Sequence, residues 1–274
     1  GLVFLSPRWK RESYSIYYKS QYDLNYRPHV FNAETNSRDD KNIELIYART
    51  NGYFQDINSI LDIGAGMGSG LQFLSDKCSK KVRISAIESS LQCRKNLVDN
   101  IGADLIGDDV DDDWHVSKEK CYDVIVMRHV VEHFLDPIAV LKKVNTVLSD
   151  DGVVYIAVPD MMNPIRSLDN YFFRVVHTFY FSRETLEQIA ARAGLMPVLM
   201  KSEGHEVWGV FKRGPVSGRD SINVFRKQIR VIRTYRSKRY VFVRLNYLYH
   251  LGVKIVRKSV QSVLPESIKK RLRP

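Results

Sequence analysis

Between Asp62 and Gly70 a glycine stands at every second position from Gly64: Asp62-Ile-Gly64-Ala-Gly66-Met-Gly68-Ser-Gly70, directly after the apolar run Ile60-Leu61. A short strand that breaks into such a loop and then into a helix with Leu71 and Leu74 on one face leaves few architectures open. Glycine supplies the positive φ of a sharp turn and lets a ligand lie against bare backbone. The first N–H groups of the following helix favour an anionic group. Glu88, at the end of the next strand-like run (Val82 to Ile87) and 24 residues after Gly64, can accept both hydroxyls of a ribose. The spacing misses the dinucleotide fingerprint Gly-x-Gly-x-x-Gly, because its third glycine falls on Ser69 or on Leu71. No Gly-Lys-Ser/Thr follows, which excludes a phosphate-binding P-loop.

From Ser59 onward strands and helices alternate. Strands are predicted at 60–63, 82–87, 103–106, 122–127 and 153–158, with a final hairpin of strands at 196–202 and 206–212. Helices are predicted from Leu71, from Leu91, over 138–148 (closed by Asp151-Gly152) and from Ser182 to Ala193. Ser182 is a good N-cap, with Thr185 in place of the Glu of a full capping box. This rhythm predicts an α/β fold: a Rossmann-like, seven-stranded, mostly parallel sheet with helices on both faces. Residues 161–181 form an aromatic insertion. Residues 39–51 are expected to be helical. The tyrosine-rich segment 1–38 (Tyr14, Tyr17, Tyr18, Tyr22, Tyr26) is a loosely helical lid, with Tyr17 and Tyr22 as candidates to close over a ligand. The main domain spans 39–214, and Gly214-Pro215 and Ser217-Gly218 mark the boundary to a helical basic tail, 215–274.

Charge is distributed unevenly. The net +11 hides a tail from Arg219 with 16 Lys/Arg against Asp220 and Glu266, and a remainder with 26 basic and 29 acidic residues. Such asymmetry reports an interaction surface. In the tail, cations alternate with Ile229, Ile232, Tyr235, Leu245, Leu248, Leu251 and Ile255 at roughly helical spacing, which suits the surface of an anionic membrane. Packing on the main domain, homodimerisation and RNA binding stand as alternatives, the last without any stacking motif. No apolar run approaches the ~20 residues of a membrane span. Cys78, Cys93 and Cys121 lack metal or redox spacing and suit reduced thiols in a cytoplasmic protein.

The stretch Tyr122-Asp-Val-Ile-Val-Met-Arg-His-Val-Val-Glu-His-Phe-Leu-Asp-Pro137 resembles the fourth-strand signature of class I S-adenosylmethionine-dependent methyltransferases related to ubiquinone and polysaccharide biosynthesis. Leu141 to Leu148, Ser149 to Gly152, Val153 to Pro159, and His177-Thr-Phe-Tyr-Phe-Ser-Arg-Glu-Thr-Leu186 continue the likeness, which covers about 40–213. It implies a transferase with S-adenosylmethionine across the carboxyl ends of the first, second and fourth strands. Asp62, Gly64, Ala65, Gly66 and Gly68 would then line the methionine part, and Glu88 would hold the ribose. Ser89 and Ser90 would neighbour adenine, with Asp108 or Asp109 facing its amino group. Arg128 and His129 would border the methyl donor.

For a hydroxyl acceptor a general base helps, and histidine has the suitable pKa. His129 leads the candidates, followed by His177 in the aromatic insertion and His133, whose structural alternative is a helix-start hydrogen bond. In the ubiquinone-type relatives an acidic residue stands at the position of His129 and can support a divalent metal; here no third ligand accompanies His129 and His133, so no metal is expected. The implied acceptor is a hydroxyl on a sugar, glycan or lipid-linked saccharide at the cytoplasmic membrane face. A quinone-like or other small metabolite is the alternative acceptor, and a non-catalytic cofactor-binding or membrane-associated scaffold the alternative from another class.

Overall fold

The computed structural model describes residues 1–26, 44–53, 56–78, 80–116, 121–217, 224–237 and 240. The chain divides into two compact units, Gly1–Gln228 and Ile229–Pro274. Among the described residues of the first unit, strands and helices alternate as the hydrophobic pattern requires. Strands β2 (Ser59–Ile63), β3 (Arg83–Ile87), β4 (Asp104–Gly107), β5 (Tyr122–Arg128), β6 (Leu148–Pro159), β8 (Leu195–Glu203) and β9 (Glu206–Arg213) form one sheet, in the order β4-β3-β2-β5-β6-β9-β8. β2 to β6 run parallel, and only β9 and β8 enter antiparallel.

Alternate strand residues feed two cores, because successive side chains point to opposite faces. Leu61, Ile63, Ile125, Met127, Val154 and Ile156 pack with Val140, Leu141 and Val144 of α6 (Pro137–Val147) and Leu186 and Ile189 of α7 (Arg183–Arg192). Ile60, Ala86, Val124, Val126 and Tyr155 pack with Leu71 and Leu74 of α4 (Ser69–Asp76), with Leu97 after α5 (Leu91–Asn96), and with Ile46 of α3 (44–50). A sheet covered on both faces in this way reads as near-continuous apolar runs, as β5 and β6 do.

Several expectations shift. The helix over 138–148 ends at Val147, and β6 begins at Leu148, so Asp151-Gly152 lies inside the strand instead of closing the helix. The space there explains the glycine, since a Cβ on Gly152 would sit 2.8 Å from Leu148 Cδ1 and 3.0 Å from the Tyr122 carbonyl oxygen. The capping box of α7 is intact after all: Ser182 Oγ accepts from the Thr185 N–H, and the Thr185 hydroxyl accepts from the Ser182 N–H, doing the work usually given to Glu. Within the aromatic insertion, β7 (Phe179–Tyr180) pairs antiparallel with β1 (Val3–Phe4), a small second sheet that binds the N-terminus to the main body. The N-terminal segment is ordered into α1 (Arg11–Ser20) and α2 (Tyr22–Tyr26). Tyr26 ends α2; the expected helical residues 39–43, the rest of the lid segment at 27–38 and most of the tail (218–223 and 241–274) lie outside the described residues. Residues 224–237 are helical. In the second unit Arg230, Arg233 and Arg236 are exposed, while Ile229, Ile232 and Tyr235 are half-buried. No helix among the described residues is long and apolar enough to cross a membrane.

Candidate active site

A cavity of about 520 Å³ opens at the carboxyl ends of β2, β3 and β5, where open α/β sheets bind ligands. Its floor at one end is the glycine loop. Gly64, Gly66 and Gly68 all have positive φ (79°, 56° and 81°). A Cβ on Gly64 would come 2.9 Å from Val130 Cγ2, and one on Gly68 would come 2.6 Å from Leu97 Cδ2. The loop is therefore glycine for two reasons, backbone sign and lack of room, and it borders the cavity at Gly64 and Gly66.

Glu88 lines the cavity at the end of β3 and is buried. Its Oε2 accepts the Gly66 N–H at 2.7 Å and its Oε1 accepts the Ser90 N–H at 2.8 Å. Each carboxylate oxygen has a second acceptor direction, so Glu88 shapes the loop and still has capacity for two ligand hydroxyls. Asp62, Ala65, Ser89, Arg128 and His129 also line the cavity. Burial, then repulsion from Glu88, pushes the Asp62 carboxyl up to about 7 against the pull of Arg128.

The structure separates residues that the sequence leaves equivalent. Asp109 lines the cavity; Asp108 does not, and is engaged by Arg94 at 3.2 Å and Lys19 at 3.3 Å. Ser90 is turned away, capping α5 through the Cys93 N–H. Gly68 lies beneath the loop as the left-handed N-cap of α4.

At the other end of the cavity, residues from distant segments meet. His129 has φ +52°, a conformation that costs a non-glycine residue roughly 1–2 kcal/mol. Its Nε2 lies 2.8 Å from Glu206 Oε1 and its Nδ1 3.5 Å from Glu132 Oε1. Burial alone would lower its pKa, but the hydrogen bonds to Glu132 and Glu206 outweigh this and raise it to about 9. Burial works against the charge of both carboxylates too, and the His129 hydrogen bond overrides it, holding each at about 2. Arg49 completes the cluster, donating to Glu206 at 2.6 Å and to the Tyr155 hydroxyl at 2.9 Å. Both ring nitrogens of His129 thus face carboxylates, which favour its protonated form and count against it as a base and as a metal ligand.

His133 lines the cavity, and its Nδ1 lies 2.9 Å from the Val176 carbonyl oxygen. His177 packs behind it, ring centroids 5.0 Å apart and not on the cavity wall. Burial, then the neighbouring His133, holds His177 down to about 3, too weak a base to collect a proton at neutral pH. Glu132 Oε2 is buried without a hydrogen-bond partner. Glu132 and His133 from the turn and His177 from the insertion each offer one ligand atom within 4.8 Å of the others, a grouping that leaves out His129. Sequence reasoning missed Glu206, Arg49 and Tyr18, which come from β9, α3 and α1; no local pattern ties them to the glycine loop. Tyr14, Tyr18 and Tyr22 line the cavity, whereas Tyr17 does not.

Residues 33–199 match the model of a family described as a methyltransferase domain. No curated protein matches the sequence. Among solved structures, the Burkholderia thailandensis 1,6-didemethyltoxoflavin-N1-methyltransferase, with 1,6-didemethyltoxoflavin and S-adenosylhomocysteine bound, is similar at a TM-score of 0.55 and 15% identity, over 78% of this chain and 95% of that one. A Pyrococcus horikoshii OT3 protein is similar at 0.51 and 16%, over 75% and 100%. The DhpI complex with SAH is similar at 0.50 and 19%, over 74% and 95%. At these identities the likeness is one of fold.

Proposed function

Because the chain belongs to the methyltransferase-domain family, we propose that it moves the methyl group of S-adenosylmethionine to a hydroxyl of a sugar, glycan or lipid-linked saccharide. The observation that carries the cofactor reading is the pairing of Glu88 with the Gly66 amide at the cavity floor, a carboxylate and a Cβ-free edge in one place. When bound, S-adenosylmethionine supplies an electrophilic methyl group on a positively charged sulfur. Asp62, Gly64, Ala65 and Gly66 would hold its amino-acid end, Glu88 its ribose hydroxyls, and Ser89 and Asp109 its base. Arg128 and His129 would border the reacting end.

Methyl transfer gains much of its rate from alignment of acceptor and donor. Removal of the acceptor's hydroxyl proton falls to His133 Nε2, because both nitrogens of His129 are engaged by carboxylates and His177 lies off the cavity wall. Glu132 Oε1, 3.9 Å from that Nε2, stabilises the positive charge that the proton brings. The acceptor end is walled by Tyr14, Tyr18, Tyr22 and Phe134, flat surfaces that suit the C–H face of a sugar ring. The same walls suit a planar quinone-like acceptor, which is the second reading. Calorimetric titration with S-adenosylmethionine and S-adenosylhomocysteine tests the site. Turnover of labelled cofactor against saccharide and hydroxyaromatic panels tests the acceptor. Tight cofactor binding with no methyl transfer to either panel would favour a non-catalytic scaffold.

The basic tail supports a place on the cytoplasmic face of an anionic membrane. Flotation with anionic vesicles, with and without residues 219–274, tests this, and equal partitioning would defeat it. A concentration-dependent dimer, or retention on RNA instead of vesicles, would assign the tail to its other readings.

A further inference from the structure

Helix α1 precedes the first residue matched by the family model, yet it reaches the reacting end of the cavity. The Tyr18 hydroxyl lies 2.9 Å from His133 Nδ1 and donates to the Val176 carbonyl oxygen at 3.2 Å; that carbonyl is itself 2.9 Å from the same Nδ1. A carbonyl oxygen can only accept. His133 Nδ1 must therefore carry the ring proton, and an unprotonated Nδ1 would set two lone pairs against each other. The Tyr18 oxygen, its own proton spent on Val176, is left to accept from Nδ1 alongside the carbonyl. In a neutral imidazole this makes Nε2 the unprotonated nitrogen.

We infer that Tyr18 is a positioning residue for His133: with the Val176 carbonyl it locks the Nδ1–H tautomer and the ring orientation, so that Nε2 is the atom that receives the acceptor's proton. The inference rests on the assignment of His133 as the base. Orientation is held as well as tautomer. The Tyr18 ring meets the imidazole edge-on at 5.8 Å, Tyr22 does so at 5.9 Å and His177 at 5.0 Å, so a ring flip would have to displace three aromatic neighbours. Tyr18 stays a neutral hydroxyl, because burial and then the neighbouring Tyr22 push it well above 10.

The lock also joins the two ends of the cavity. Arg11 pairs with Asp109 and Asp112 at 3.3 and 2.7 Å, and Lys19 with Asp108, so the helix that bears Tyr18 is tied to the loop expected to face the nucleoside base. Tyr14, one turn earlier, donates to the Val175 carbonyl at 3.0 Å. The base is complete only with α1 docked on both sides.

The test uses the full chain with 15N-labelled histidine, the His133 signals being assigned with His133→Gln. Wild type is expected to show a protonated Nδ1 and an unprotonated Nε2. In Tyr18→Phe the two nitrogens should move toward a tautomer mixture. Turnover should fall roughly 10- to 100-fold, as when second partners of functional histidines are lost, with affinity for S-adenosylhomocysteine and KM for S-adenosylmethionine unchanged. An unprotonated Nδ1 in wild type overturns the inference, and so does a Tyr18→Phe chain with either its tautomer or its turnover intact. Should Tyr18→Phe fail to fold, the wild-type spectrum alone decides. Absence of cofactor binding by wild type would instead sink the methyltransferase reading, which the tautomer measurement does not touch.

Discussion

The two ends of the cavity are built by opposite means. At the cofactor end one short stretch of chain, Asp62 to Gly70, makes the surface out of backbone, and Glu88 from the adjacent strand braces it through the Gly66 amide. At the reacting end almost everything is side chain, and the pieces come from α1, α3, the turn 129–133, the insertion near 176 and β9. A backbone surface is specified by where side chains are missing. A side-chain surface is specified by charge balance, and it holds only while every partner is present.

The sharpest way to break that contrast is to add volume under the loop. Gly68→Val would place its Cβ 2.6 Å from Leu97 Cδ2 and 3.0 Å from Ile101 Cγ1, at a φ of +81°. Left-handed backbone costs about 1–2 kcal/mol and overpacking about 1–3 more, so thermal unfolding should drop steeply and cofactor binding vanish. A wild-type melting temperature in this variant would show that the loop is tolerant and the contrast wrong.

Glu88→Ala comes next. Hydrogen bonds to a charged group are worth about 1.5–3 kcal/mol, which converts to a roughly 10- to 150-fold weaker Kd for S-adenosylmethionine by calorimetry. Unchanged affinity would mean that the carboxylate serves the loop alone.

At the reacting end, Glu206→Gln keeps the shape and removes one charge. A neutral acceptor is worth about 1 kcal/mol less than a charged one, so the stability loss in denaturant should be near that size. The His129 pKa, followed by NMR, should drop from about 9. If it stays there, Glu132 alone holds the proton.

Stability should also depend on pH differently at the two ends. His129 titrates above its ordinary 6.5, so its stabilisation is whole below 6.5 and fades as pH rises through about 9. Glu132 and Glu206 titrate below 4.5, so theirs is whole above 4.5 and fades toward about 2. Asp62 is raised, so its protonated form favours the fold below 3.8 and that advantage is gone once pH has passed about 7. Glu206→Gln should flatten the alkaline slope of stability between 6.5 and 9, and Asp62→Asn the slope between 3.8 and 7. Denaturation curves across pH check both, and identical slopes in both variants would remove the distinction.

What was legible from residue order follows the same division. The strands of β2 to β6, the hairpin of β8 and β9, and the glycine loop with Glu88 all rest on local patterns: short apolar and β-branched runs and turn chemistry within a few residues. So does α6, apart from its end. There, Leu148 continued the apolar spacing of the helix but joined the strand, because pairing with Tyr122 decides that residue. Thr185 completing a cap that usually needs Glu was also a matter of geometry, since its hydroxyl is short but close.

The amino-acid order by itself determined the doubly covered sheet and the position of its ligand crevice, since both follow from periodicity and from where Cβ atoms are absent. Only the tertiary structure decided which of Asp108 and Asp109 faces that crevice, that His129 is clamped between two carboxylates, and that Tyr18 stands behind His133. Those outcomes depend on partners such as Glu206, 77 residues from His129, or Tyr18, 115 residues from His133. A protonation state is set by what lies within a few ångströms, and sequence separation carries no record of that distance.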